Sequence, residues 1–246
     1  MFPILQLGPL AIQVPGLVLL AGFWVLINVI EKEAPRHKIS PDTMSNMILI
    51  GLIAGIIGAR LWYVARFISV YIANPLSLFS LNPATLATTA GIFIGLLAAV
   101  IYAQRKDLPL WPTLDALAPG FAVFALALGL SHVASGDAFG APSTVPWAIE
   151  LWGAMRHPSQ LYEIAGAIIV LLILWRVKKQ KTFPGFTFLA WVALSATSQI
   201  FLEAFRGDSI IILNSLRRNQ VVGLVIMLAA LLGLHLLVRE KTAKKT

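Results

Sequence analysis

The chain has no cysteine, which excludes a disulfide framework, a thiolate metal site and a cysteine nucleophile. Charge is scarce as well: acidic and basic residues make up 12% of the 246 positions, about half the share carried by soluble domains. No metal-ligand spacing and no transporter-like repeat between the two halves is present. Disorder, collagen, coiled coil and small disulfide scaffolds are excluded by the same arithmetic. What the chain has in abundance is apolar residues, 58% of the total with a mean hydropathy of +0.83, spread from end to end. A single-span receptor is thereby excluded, and a polytopic membrane protein is expected.

A helix crossing the hydrocarbon needs about 20 mostly apolar residues. Seven stretches qualify, near 9–30, 43–65, 86–104, 113–134, 158–176, 183–205 and 220–238. Backbone amides at membrane depth must be paired within the segment, so helices rather than strands are expected, giving an all-α fold in one integral membrane domain, 1–246. The first stretch is not expected to be a cleaved signal peptide, because no charge precedes Glu31 and no small-residue cleavage site follows.

The net charge of +8 is unevenly placed. Thirteen of the 19 lysines and arginines follow spans one, three, five and seven, including Lys178, Lys179, Lys181, Lys244 and Lys245. The positive-inside rule then puts the N-terminus outside and the C-terminus in the cytoplasm. The basic tail from Arg239 to Lys245 suits anionic lipid on the cytoplasmic face rather than nucleic acid. On the other side stand Arg60, Arg66, Arg156, Arg206, Arg217 and Arg218, all arginines. Glycine runs at Gly51–Gly55 and Gly91–Gly95 read as helix-packing devices.

Ionisable groups inside a bilayer cost kilocalories each, so those present usually line a cavity or pair with one another. Asp115 at the start of span four reads as structural, serving the positive end of a helix dipole. Glu163 and Glu203 are harder to place on a lipid-facing surface, since a carboxylate cannot snorkel as far as arginine. The simplest arrangement gathers both glutamates and the arginines around one net-positive cavity opening outward. Guanidinium grips phosphate through paired hydrogen bonds, so an anionic phospholipid is the expected ligand. The intervening segment 135–157, with its glycines, prolines, Trp147 and Trp152, is expected to be an ordered loop or short interfacial helix.

The run Arg156-His157-Pro158-Ser159-Gln160-Leu161-Tyr162-Glu163 resembles the most recognisable motif of the bacterial prolipoprotein diacylglyceryl transferases. Gly58-Ala59-Arg60-Leu61, Asp115 to Gly120, Gly140-Ala141-Pro142, Glu203-Ala204-Phe205-Arg206 with Asp208, and Gln220 match in the family's order over nearly the whole chain. The resemblance implies transfer of a diacylglyceryl group from phosphatidylglycerol to the cysteine thiol of a lipoprotein precursor, in a bacterial inner membrane, without a cofactor or metal. The nucleophile comes from the substrate, so a cysteine-free enzyme suits this chemistry. A thiol needs a base or a positive field to become thiolate. The resemblance makes Arg60, Arg156, Gln160, Tyr162, Glu163, Gln199, Glu203 and Arg206 the lipid- and phosphate-binding residues.

Several positions depart from the family pattern. A histidine thought to act as base is Thr89 here, an arginine is Gly129, an asparagine is His132, a second asparagine is Ser135 and a glutamate is Asp137. A first-span tyrosine falls at Pro15 and an arginine of span six at Gln199. Two readings stay open. In one, the chain is a divergent transferase in which His132 serves as the base, with Asp137 tuning it. In the other it keeps the fold and lipid cavity as a catalytically inactive lipid-binding or accessory subunit.

Overall fold

The computed structural model describes residues 4–7, 10–79, 85–178, 180, 182–212 and 215–243. Lys179, Lys181, Lys244 and Lys245 lie outside the described residues. In chain order the elements are β1 (Ile4–Leu7), β2 (Leu10–Gln13), α1 (Val14–Glu33), α2 (Pro41–Arg66), α3 (Ile68–Ala73), α4 (Thr88–Arg105), α5 (Leu110–Ser135), β3 (Ile149–Leu151), β4 (Ala154–Arg156), α6 (Ser159–Val177), α7 (Phe186–Glu203), β5 (Ile211–Ile212), β6 (Leu216–Arg217) and α8 (Arg218–Ala243). Seven of these helices are long and apolar enough to cross a membrane: α1 continued by a 3₁₀ turn to His37, then α2, α4, α5, α6, α7 and α8. The all-α, polytopic expectation holds, with span boundaries displaced by a few residues.

The largest displacement is at the start. Residues 10–13, expected within span one, form β2 paired with β1, and α1 begins at Val14 with Pro15 in its first turn. Proline is tolerated there because the N–H it lacks would have had no partner inside the helix. A second difference concerns 149–156, which is a β-hairpin rather than a helix. Trp152 and Gly153 form its turn with φ of 55° and 73°, the left-handed pair that joins antiparallel strands in two residues.

The chain divides into two compact units, Ala34–Pro109 and the remainder, Met1–Glu33 with Leu110–Thr246. In the smaller unit α2 packs on α4 through the expected glycines. A Cβ at Gly95 would lie 2.6 Å from the Gly51 carbonyl oxygen, so the backbones touch and only glycine fits.

In the larger unit α5 is the central helix, packed on by α1, α6 and α7. Its interior face is nearly all small residues, among them Ala116, Ala118, Ala122 and Ala127, which lets its neighbours approach closely. Ile30 of α1 is fully buried against Gly120. Ala122 with Val170 and Leu174 forms one core cluster, and Leu189, Ala193 and Ala230 form another between α7 and α8. Large apolar side chains such as Leu20, Trp24, Ile169 and Val225 cover the exposed helix faces, as a hydrocarbon solvent requires. Asp115 is structural, as expected, but it serves a different helix. Its buried carboxylate accepts from Gly185 N–H at 2.6 Å and Phe188 N–H at 2.8 Å, capping α7.

Candidate active site

At the C-terminal end of α5 and the first turns of α6, helical spacing brings two ionisable groups together. His132 Nδ1 lies 2.8 Å from Glu163 Oε2, each side chain about one-fifth exposed. An ionised carboxylate only accepts, so in the pair of a neutral imidazole with a carboxylate Nδ1 is the donor and Nε2 has the lone pair. The approach depends on Gly129, one turn before His132 on the same face: a Cβ there would meet Ile164 Cγ1 at 2.8 Å. The missing side chain lets α5 and α6 close up until His132 reaches Glu163.

His132 therefore has a different carboxylate partner from the one its sequence neighbourhood suggested. The exposed Asp137 instead offers its backbone carbonyl to the Gln160 amide at 2.9 Å. Gln160 is 1% exposed, and among the described residues its side-chain carbonyl oxygen has no hydrogen-bond partner. Ser159 donates to the Ala138 carbonyl, so this short segment is tied to the start of α6 by two side chains.

The second acid centre lies at the end of α7. Glu203 is fully buried and accepts from Asn219 Nδ2 at 3.2 Å and from Gln199 Nε2 at 3.3 Å. Arg206 Nε stands 3.9 Å from Glu203 and holds Asp208 through two bonds of 2.8 and 2.7 Å. Its hydrogen bond to Asp208 is the main influence raising the Arg206 pKa, against the opposing effect of burial. Burial pushes the Asp208 carboxyl up, but the hydrogen bond and charge of Arg206, with a smaller contribution from His132, bring it below its ordinary value. Arg206 also feels Glu163, so the two acid centres form one electrostatic group. Arg217 secures the chain here by donating to the carbonyls of Glu203 and Arg206, the latter at 2.8 Å.

A cavity of about 170 Å³ lies among α5, α6 and α7, with Glu163, Gln199, Trp191 and Ser198 in its wall; neither the arginines nor Glu203 line it, so it is not the net-positive cavity shared by both glutamates that the sequence suggested. The arginines are less free than phosphate binding alone would suggest. Arg156 donates to the Leu151 carbonyl at 3.0 Å and the Gly140 carbonyl at 3.3 Å, with its guanidinium over the Phe139 ring. In the smaller unit Arg60 bonds the Ser77 carbonyl at 2.6 Å and Thr85, and lies over Tyr71. Thr89 is exposed in the first turn of α4.

Sequence reasoning missed the aromatic cluster beside the dyad. The Tyr162 hydroxyl accepts from the Trp147 indole at 2.6 Å and lies 3.3 Å from His157 Nδ1, with Phe205 packed edge-on against both rings. The signal was His157, the one histidine of the 156–163 run, with Tyr162 five residues further on.

The Prolipoprotein diacylglyceryl transferase family model matches residues 3–236. Among known proteins, the chain is 30% identical over 234 residues to a phosphatidylglycerol–prolipoprotein diacylglyceryl transferase of Streptococcus pneumoniae (strain JJA), covering 91% of this chain and 88% of the relative. Proteins of the same name from Clostridioides difficile (strain 630) and Corynebacterium glutamicum (strain ATCC 13032) are 28% and 27% identical. The first alignment covers 92% of this chain and 90% of the relative, and the second 94% and 81%. With a match that runs almost the full length of seven apolar helices, the chain belongs to the prolipoprotein diacylglyceryl transferase family.

Proposed function

We propose that this chain transfers the diacylglyceryl group of a phosphatidylglycerol-like lipid to the cysteine thiol of a lipoprotein precursor, with His132 as the base. The observation that carries the proposal is the 2.8 Å bond between His132 Nδ1 and Glu163. It leaves Nε2 ready to take a proton and supplies a carboxylate to stabilise the imidazolium that results. Nε2 removes the thiol proton. The thiolate then attacks the glyceryl carbon that bears the phosphate, a C–S bond forms, and the C–O bond breaks with its electron pair going to the departing glycerol phosphate. The imidazolium proton leaves with that phosphate, which restores the base.

In this reading Arg156 and Arg206 hold the phosphate, and a lipid-binding part for Arg60 rests on the family resemblance alone. Arg156 and Arg206 each use two side-chain nitrogens on protein oxygens, and a guanidinium has five N–H donors. Gln160 offers its unpaired buried oxygen to a headgroup hydroxyl, Tyr162 orders the neighbouring ring cluster, and Gln199, held by Glu203, lines the cavity wall. Asp137 contributes its backbone carbonyl, which accepts from the Gln160 amide. The chain works as a multi-pass protein of a bacterial inner membrane, with the dyad on the outer side.

The test is thioether formation by the purified chain from phosphatidylglycerol and a precursor peptide. Transfer by the wild type and its loss in His132→Ala support the proposal. Full activity in His132→Ala removes the base assigned here, and lipid binding without any transfer by the wild type supports the accessory-subunit reading.

A further inference from the structure

The short strands near the dyad join into a wider ribbon. Gly207 N–H bonds the Phe139 carbonyl (2.9 Å) and Ala141 N–H bonds the Phe205 carbonyl (2.8 Å) on one side of the 139–143 segment. On its other side, His157 N–H bonds the Ala141 carbonyl (3.0 Å) and Ser143 N–H bonds the Met155 carbonyl (2.9 Å). β4 in turn pairs with β3, and there the ribbon stops.

Register fixes what the open edge offers. The Met155 carbonyl is used by Ser143, so its backbone polar groups turn away from β3, and its antiparallel partner is Glu150. In such a pair both residues turn N–H and C=O outward. The two-residue turn at Trp152–Gly153 gives the same phase, because Leu151 and Ala154 close it as the hydrogen-bonded pair. Glu150 thus presents one donor and one acceptor, and among the described residues no backbone bond reaches either.

The edge is also held in place. The Trp152 indole donates to the Gly136 carbonyl at 3.0 Å, and the Trp147 indole to the Tyr162 hydroxyl at 2.6 Å. Gly136 N–H returns to the His132 carbonyl (2.8 Å), and Tyr162 precedes Glu163. Both ends of the hairpin are therefore anchored to the segments that carry the dyad. Trp147 and Trp152 are nonetheless 61% and 65% exposed, which leaves apolar surface beside the open edge.

We propose that the acceptor peptide docks on this edge: an extended segment bearing the reacting cysteine adds to β3 as a further strand, exchanging backbone hydrogen bonds with Glu150. A lipid has no strand to add. A second copy of this chain pairing antiparallel on the same edge would set Glu150 opposite Glu150, and like charges directly opposite destabilise a sheet. A peptide backbone satisfies both edge groups, and Trp147, Trp152 and Met155 cover its apolar side chains. The inference rests on the transferase reading for the identity of the acceptor.

The test is binding of a fluorescent precursor peptide to the purified full chain in detergent, with single backbone N-methyl groups moved along the residues around the cysteine. Strand addition predicts alternation, a loss of roughly threefold to tenfold at one residue and near-unchanged binding at its neighbours. Loss at every position, or at none, overturns the proposal. Glu150→Pro deletes the edge donor and is expected to raise the peptide KM by a similar factor with the lipid KM unchanged; an unchanged peptide KM in a folded variant overturns the proposal. Should the proline variant misfold, the N-methyl scan on the wild type decides alone. Binding is read without turnover, so alternation without thioether formation refutes the transferase reading and leaves the docking edge standing. Transfer without alternation refutes the edge alone.

Discussion

Removing the His132 side chain takes the donor from a partly buried carboxylate and the proton acceptor from the site at once. His132→Ala is therefore expected to lower kcat for lipid transfer by about 10²- to 10⁴-fold, the usual contribution of a placed base. Glu163→Gln keeps an acceptor for Nδ1 but not the charge that favours the imidazolium; kcat should fall by about 10²-fold with little change in lipid KM. An unchanged kcat in that variant would show the bond to be structural only. At Asp208 the folded carboxyl lies below its ordinary value of 3.8. Its contribution to stability is complete above that value and is lost as pH falls through the folded one. Arg206→Gln removes the hydrogen bond and charge that depress it, so wild type and variant should differ most in unfolding midpoint at neutral pH and converge as pH falls below the ordinary carboxylate range. A difference that persists unchanged in acid would contradict this.

Between elements, the decisive feature is a contact between α5 and α6 made by two residues 31 apart in sequence. The sequence shows that Glu163 needs a partner or a wet cavity, because a carboxylate inside a span cannot be left alone. It does not show the partner, because the α5–α6 crossing is set by Gly129, whose empty face is visible only when the helices are packed. Asp137 is nearer to His132 along the chain and was the natural guess. The span positions were legible for the opposite reason: apolar run length is a local property that the bilayer thickness dictates. The β3–β4 hairpin was not, since its turn uses Trp152 at positive φ, where asparagine or glycine would have been the readable signal. Gly129→Leu should force α5 and α6 apart and destabilise the protein by about 1–3 kcal/mol, with transfer lost as the dyad opens. Asp115→Asn leaves the Gly185 and Phe188 N–H groups at the start of α7 with a weaker cap. The thermal midpoint in detergent should fall, corresponding to about 1–2 kcal/mol, while the folded fraction keeps its kcat.

For the molecule as a whole, the proposed orientation has the dyad on the outer face. Because the chain has no cysteine, single introduced thiols report topology without background. Ser143→Cys should react with a membrane-impermeant maleimide on intact cells, and Asp107→Cys only after permeabilisation; the reverse pattern would invert the orientation. The central claim is that a paired histidine, His132, does the work of proton removal in a chain carrying Thr89 where relatives are expected to have their base. The most direct measurement is thioether yield from phosphatidylglycerol and a precursor peptide, using purified wild type, His132→Ala and Thr89→Ala side by side. The account predicts product from the wild type and Thr89→Ala and none above background from His132→Ala; equal product from all three would contradict it.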